Sequence, residues 1–413
     1  MILKQNEELK MSIKKVSLLA LLASASVNSY AAPAYRLTDL GVLPGGHAFS
    51  QAYSVSENGL ISGRARGRLP VPKTGDEIRG PIEAVRFYGD SGYIQTMGTL
   101  GGTSGHGLSS AGMAINNDGM VAGYSTVNPA PGMTRQYHAF VNSYKKGTMK
   151  DIGTLGGPES RAYGINNNGK VVGWANRQAD GSDHEAFVYD SATDSMTGLG
   201  GNLLGGSRSF AFDINDKDQI VGTATLANGS AHAFAYSDGA ATDLGSLDNS
   251  GYSEARAINE HGWVTGWSLT DTNDYHAFIA NAAGTVMTDL GSLGGDSKGL
   301  DINNNGQVVG SGTDADGHRV GFLYTDGQMY NLIDLLSPSD QAMLKEITEA
   351  ASINDDGTIV GRASFWTDAA HTHSQTKGFM VSAVPLPGAV FFMGPAMALL
   401  GFFGKRQKNV QAA

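Results

Sequence analysis

The chain of 413 residues has a net charge of −10, and 16% of its residues are charged, against a usual share of ~25%. Glycine supplies 57 positions, so long helical bundles and coiled coils are disfavoured, while 41% hydrophobic residues argue against broad disorder. The lack of cysteine excludes disulfides, thiolate metal sites and cysteine nucleophiles, and the acidic balance makes the whole chain a poor partner for nucleic acid.

In chain order, the first predicted element is a secretory signal over residues 1–31. Lys14 and Lys15 form its basic start, and Val16 to Ala23 forms a short apolar run. Ser29 and Ala31 stand at the small-residue positions of a cleavage site, placed after Ala31. The run is too short for a span of ~30 Å of hydrocarbon. The segment Arg36-Leu37-Thr38-Asp39-Leu40-Gly41 then reads as an isolated strand.

Residues 32–383 are organised by one motif found seven times. Its copies start at Ser56, Asn116, Asn166, Asn215, Asn259, Asn303 and Asn354. They end at Gly63, Gly123, Gly173, Gly222, Gly266, Gly310 and Gly361, with spacings of 60, 50, 49, 44, 44 and 51. Asn166-Asn167-Asn168-Gly169-Lys170-Val171-Val172-Gly173 is representative. Six residues upstream of each start stands a hydroxyl (Ser50, Ser110, Ser160, Ser209, Ser253, Ser297, Thr348), and four residues upstream stands Ala or Gly. A small residue in every copy implies backbone crowding, as on the inner strands of a propeller. Each repeat holds four strand-like pieces: one ending in Ile-Asn, the Val-Val-Gly piece after a tight Gly turn, an aromatic piece such as His138-Ala139-Phe140, and a piece such as Asp243-Leu244-Gly245. Four short strands per 44–60 residues predict an all-β fold, a β-propeller of seven four-stranded blades. The seventh repeat stops after its third strand, at Gly378–Val381, so the isolated N-terminal strand is expected to complete the last blade and close the ring.

The tail, residues 384–408, opens with Val384, Pro385, Leu386 and Pro387. Ala389 to Phe403 follows without a charge, then Lys405, Arg406 and Lys408. Fifteen helical residues reach only ~22 Å, marginal for a permanent span, and the basic cluster is expected to stay cytoplasmic. Since both ends are basic, the central region is more acidic than the chain as a whole.

Two resemblances follow from these residues. The tail resembles the PEP-CTERM sorting signal of Gram-negative bacteria in its Val-Pro-Leu-Pro variant. That likeness implies an exosortase-type processing enzyme as partner and a link to exopolysaccharide and biofilm matrix; a plain membrane anchor is the alternative. Over residues 36–382, Asp-Leu-Gly-x-Leu-Gly-Gly, Ile-Asn-x-x-Gly-x-Val-x-Gly and His-Ala-Phe recurring together resemble the HAF-repeat family of extracellular bacterial proteins. This second likeness implies an exported repeat protein and brings no catalytic residues. Copies one, three, six and seven replace the His, reading Glu83-Ala84-Val85, Glu185-Ala186-Phe187, Val320-Gly321-Phe322 and Lys377-Gly378-Phe379.

Candidate chemistry is sparse. Asp301-Ile302-Asn303-Asn304-Asn305-Gly306 matches the start of a calcium loop, yet its twelfth position is Gly312, so a hairpin turn is the expectation and no cofactor is called for. Gly295-Asp296-Ser297-Lys298-Gly299 matches a nucleophile elbow without the required strand-to-helix context, which leaves Ser297 to bond local backbone. Gly89-Asp90-Ser91-Gly92 sits where other repeats place a hairpin turn, so Ser91 is not expected to be a nucleophile either. His138, His232 and His276 share one repeat position, too dispersed for a common metal; hydrogen bonding between blades is expected of them. The residue after each terminal Gly varies, and Tyr124, Trp174, Trp267, Arg64 and Arg362 there are the candidate ligand-binding residues: aromatics stack on sugar rings, and Arg binds hydroxyls or carboxylates. Inter-blade packing is the competing account of the same positions. The sequence thus leads to a protein exported across the inner membrane to the periplasm, surface or matrix, non-catalytic, binding polysaccharide or another surface component. An exopolysaccharide lyase or hydrolase and a purely structural protein are the alternatives.

Overall fold

A computed structural model of the chain describes residues 35–44, 49–68, 79–101, 108–127, 136–143, 147–248, 251–284 and 286–384. The signal segment with Ala31, and Pro385, Leu386, Pro387, Lys405 and Arg406 of the tail, lie outside these. Among the described residues no helix is long and apolar enough to cross a membrane.

Seven four-stranded antiparallel sheets form seven blades of a β-propeller. Blade 3 is representative, running Ser160–Ile165, Lys170–Ala175, Glu185–Asp190 and Ser195–Gly198 from the axis outward. Blade 7 takes its inner three strands from Leu344–Ile353, Ile359–Trp366 and Ser374–Ala383, and its outer strand is Tyr35–Asp39, paired Tyr35 to Ala383 and Asp39 to Phe379. The expected three-plus-one closure is therefore present, and Lys377 Nζ seals it 2.6 Å from Asp39 Oδ2.

The terminal motif glycine has a steric cause. Every inner strand bulges just after its small residue, for example between Ala162 and Gly164 or Ala211 and Asp213. The carbonyl preceding the bulge is driven against the second strand: a Cβ on Gly173 would collide with the carbonyl oxygen of Arg161, and a Cβ on Gly222 with that of Phe210. The same clash recurs in the other five blades. Opposite this glycine in six blades the third strand places Phe140, Phe187, Phe234, Phe278, Phe322 or Phe379, each fully buried. The ring fills the volume that glycine leaves, as aromatic partners of strand glycines do. In blade 1 Val85 takes the place opposite Gly63, and Phe87, two residues on, supplies the ring.

The recurrent serine joins blades rather than bonding local backbone. Its Oγ accepts the third-strand amide of the preceding blade at 2.7–2.9 Å, from Ala84 to Ser110, Ala139 to Ser160, Ala186 to Ser209, Ala233 to Ser253, Ala277 to Ser297 and, across the closure, Gly378 to Ser50. In five of these it also donates to the carbonyl of the glycine at, or two residues past, the end of the preceding outer strand. Thr348 departs: it donates to Arg362 O of its own blade at 3.2 Å. That seam is filled instead by an apolar cluster including Leu332, Leu335, Leu344, Ile347 and Phe365.

The turns at one end of the axis form a closed ring of hydrogen bonds. Each amide donates to a side chain of the next blade: Glu57 to Asn117, Asn117 to Asn167, Asn167 to Asp216, Asp216 to Glu260, Glu260 to Asn304, Asn304 to Asp355, and Asp355 back to Glu57, all at 2.7–3.0 Å. Beneath it the motif asparagines each cap their own turn through Oδ1 and reach the next turn's carbonyl through Nδ2, as Asn259 does to Trp263 N at 2.9 Å and to Asn303 O at 3.0 Å. Asn303 and Asn304 of the calcium-like loop spend their side chains in these bonds.

Candidate functional site

The bulge on each inner strand turns two successive side chains toward the axis instead of one. The result is a cavity of about 380 Å³ on the axis, bounded by Tyr53, Met113, Tyr163, Phe212, Arg256, Leu300 and Ala351 from the first of these positions. Asp213, Asp301, Ser54 and Ser352 come from the second, and form its floor toward the ring of turns. Gln51, Arg64, Glu349 and Arg362 close the wall.

Three guanidinium groups thus face one small space, differently balanced. Arg256 lies 4.2 Å from the Phe212 ring centroid and pairs with Glu254 at 3.1 Å. Arg362 stands 3.7 Å from Glu349 and bonds Thr348 Oγ1 at 3.2 Å. Arg64 is set 5.5 Å from the ring centroids of both Phe49 and Tyr53, and its Nη2 donates to Gln51 Oε1 at 3.2 Å. Among the described residues it makes no ion pair, and its Nε is buried with no hydrogen-bond partner. The same Gln51 amide accepts from Tyr53 and donates to Glu349 at 2.9 Å, so Arg64, Gln51, Glu349 and Arg362 form one connected wall. Burial pushes the Tyr53 hydroxyl up, and it stays protonated.

On the floor, Asp213 accepts from Ile258 N and Asp301 from Ile353 N, each at 2.9 Å, so both satisfy an amide of the adjoining inner strand. Protein surrounds them except along the axis. Burial outweighs those hydrogen bonds and raises the Asp213 carboxyl to about 7; Asp301 is raised for the same reason. Farther along the axis a second cavity of about 170 Å³ is bounded by the turn ring, with Glu57, Asp216, Glu260 and Asp355 in its wall. Glu57 is raised by burial. The axis is therefore cationic and aromatic at one end and acidic at the other.

Of the candidate residues, Arg64 and Arg362 are in the cavity wall. Tyr124, Trp174 and Trp267 stand outside it, in seams around the same mouth. Tyr124 meets Tyr137 edge-on at 5.7 Å. Trp174 is 7% exposed, against Arg161, His184 and Phe210, and Trp267 lies between Arg256 at 5.5 Å and Lys298 at 4.9 Å. The histidines do not bridge blades. Nδ1 of His138, His232 and His276 lies 2.8–2.9 Å from Asp151, Asp243 and Asp289 of the same blade, a diagonal pair across the third and outer strands; Lys377 and Asp39 repeat it in blade 7. Ser297 is consumed by its inter-blade bonds and Ser91 by a 3-10 turn, where it donates to Tyr88 O. As site residues, sequence reasoning missed Gln51, Tyr53, Tyr163, Phe212, Asp213, Arg256 and Glu349, and it read Asp301 only as the start of a calcium-like loop. For Tyr53, Tyr163, Phe212 and Arg256 a signal was present in the variability of the position after the recurrent Ala or Gly.

Residues 242–385 match the model of a family described as a protein of unknown function, DUF3466. No curated protein matches the chain. Among solved structures it is similar to TolB from Acinetobacter baumannii (13% identity, 66% of this chain, 63% of that one, TM-score 0.43). It is similar as well to the Pyrococcus horikoshii acylaminoacyl peptidase (11%, 84% and 54%, 0.49) and to a puromycin hydrolase (12%, 77% and 50%, 0.47). The chain thus spans between half and two thirds of the length of these proteins, and at such identities none of them lends it an activity.

Proposed function

We propose that this is an exported, non-catalytic surface or matrix protein that binds polysaccharide in the axial cavity. The observation that carries the reading is Arg64, a guanidinium that makes no ion pair among the described residues, set beside aromatic faces in a cavity at the small end of the ligand-sized range. In this reading the N-terminal segment is removed after Ala31, and an exosortase-type enzyme acts on the Val384-Pro385-Leu386-Pro387 tail. The support for both is the residues of the two ends, and for the HAF-repeat likeness the motif copies that shape every blade.

A second reading has one observation in its favour. Asp213 and Asp301 face the same cavity with raised carboxyl pKa values, a property a general acid in glycan cleavage requires. Their bonds to Ile258 N and Ile353 N give them a structural task without it. Incubating the protein with the producer's exopolysaccharide and following polymer size separates the readings. Binding predicts unchanged chain length with protein co-eluting in the polymer peak. Shortened chains would replace it with the enzyme, and unchanged chains without co-elution with a structural protein.

A further inference from the structure

Resting on the binding role just proposed, we infer that the cavity takes the end of a glycan chain, a terminal sugar bearing a carboxylate, and admits no chain running through the axis.

The charge requirement comes from Arg64. An unpaired guanidinium in a partly enclosed site is a strong recognition element for a planar carboxylate, which can take two of its N–H groups at once. Its side chain is already oriented by Gln51 and by the rings of Phe49 and Tyr53, so little ordering remains to be done on binding. Arg362, held more than 3.5 Å from Glu349, is the nearest source of further donors on the same wall. A neutral glycan would leave the Arg64 charge unanswered.

The end-on geometry comes from the rest of the axis. About 380 Å³ accommodates one or two sugar rings beside Tyr53 and Phe212. A chain continuing past them would have to pass the floor closed by Asp213 and Asp301, whose carboxyls burial holds toward the neutral form, and an anionic one would then meet Glu57, Asp216, Glu260 and Asp355 in the wall of the second cavity. Like charges in a narrow, weakly screened passage repel strongly. The seven-membered hydrogen-bond ring fixes those acidic turns in place. The polymer is thus stopped at its terminal unit, with the remainder leaving through the cationic mouth.

The test is calorimetry on the full chain with three probes: digalacturonate, maltose, and long polygalacturonate at the same uronate concentration. Digalacturonate should bind and maltose should not. Polygalacturonate should saturate at about one protein per chain end. Arg64→Gln should weaken digalacturonate binding about tenfold or more, and Arg64→Lys should recover part of it, with both variants melting as wild type. Binding in proportion to uronate content along the polymer would overturn the end-on geometry. Equal affinity for maltose, or digalacturonate binding indifferent to Arg64→Gln, would overturn the carboxylate at this site. If the producer's polysaccharide still co-elutes in those cases, the binding function stands and only this inference falls. If neither it nor digalacturonate binds, both fall.

Discussion

The two ends of the propeller axis are built on opposite plans. At the turn end, seven blades contribute chemically alike groups at one register, an amide and a side-chain oxygen each, and the bonds close on themselves from Glu57 round to Asp355. At the other end the seven equivalent positions hold Tyr53, Met113, Tyr163, Phe212, Arg256, Leu300 and Ala351, which share neither size nor charge. Repetition spends its residues on holding blades together; the asymmetry of a ligand site needs positions released from it. The cationic mouth is where the repeat tolerates difference, because the bulge turns those side chains to open space instead of a neighbouring blade.

That contrast can be broken hardest on the scaffold side. Removing residues 32–43 deletes the outer strand of blade 7 and leaves the edge of Ser374–Ala383 unpaired. The expected outcome is aggregation in place of a cooperative melt, and an unchanged melting temperature would refute the closure. Phe234→Ala, in the fully buried ring opposite Gly222, should cost ~3–5 kcal/mol by denaturant unfolding. Asn259→Ala takes the shared acceptor from the His261 and Trp263 amides and removes one of the two donors to the Asn303 carbonyl, and should cost about 1–3 kcal/mol in the same measurement.

On the site side the expected effects on stability are smaller and depend on conditions. Asp213 holds its proton more tightly folded, to about 7, than unfolded, at ~3.9. Its contribution to stability is therefore fully present below pH ~4 and is lost as pH rises toward 7. The stability of wild type minus that of Asp213→Asn, measured from pH 4 to 8, should fall across this window and then level. A flat difference would show that Asp213 ionises normally in the fold. Arg64→Gln should shift unfolding by less than ~0.5 kcal/mol while lowering carboxylate affinity, the sharpest separation of the two plans.

The division also accounts for what the sequence made legible. Seven copies of the terminal glycine, with the recurrent hydroxyl beside them, display the blade count, because the glycine answers the same steric demand in every copy; the seventh copy's missing fourth piece displays the closure. Arg64 and Arg362 were found because they directly follow that glycine. Asp213 was hidden by the bulge, and so was the fact that the variable Tyr53 and Arg256 share the axis with their successors. Strict alternation from Ala52 or Ala211 sends only every second side chain to the axis, and a bulge is a property of the strand pair that neither strand spells out. The partner of His138 was hidden for a related reason, since its diagonal approach to Asp151 depends on the pairing register.

The closure strand carries a consequence for how the molecule is made. Among the described residues Tyr35–Asp39 is the first strand synthesised, and its partner Ser374–Ala383 is the last. Loop-closure entropy grows only slowly with length, so the wait costs little free energy, yet contacts so distant in sequence retard folding. Throughout synthesis the nascent chain exposes unpaired strand edges, the surfaces that invite association with other chains. A polypeptide ending one blade earlier is thus an open sheet stack with an unclaimed first strand, and the ring closes only once Ser374–Ala383 has been made.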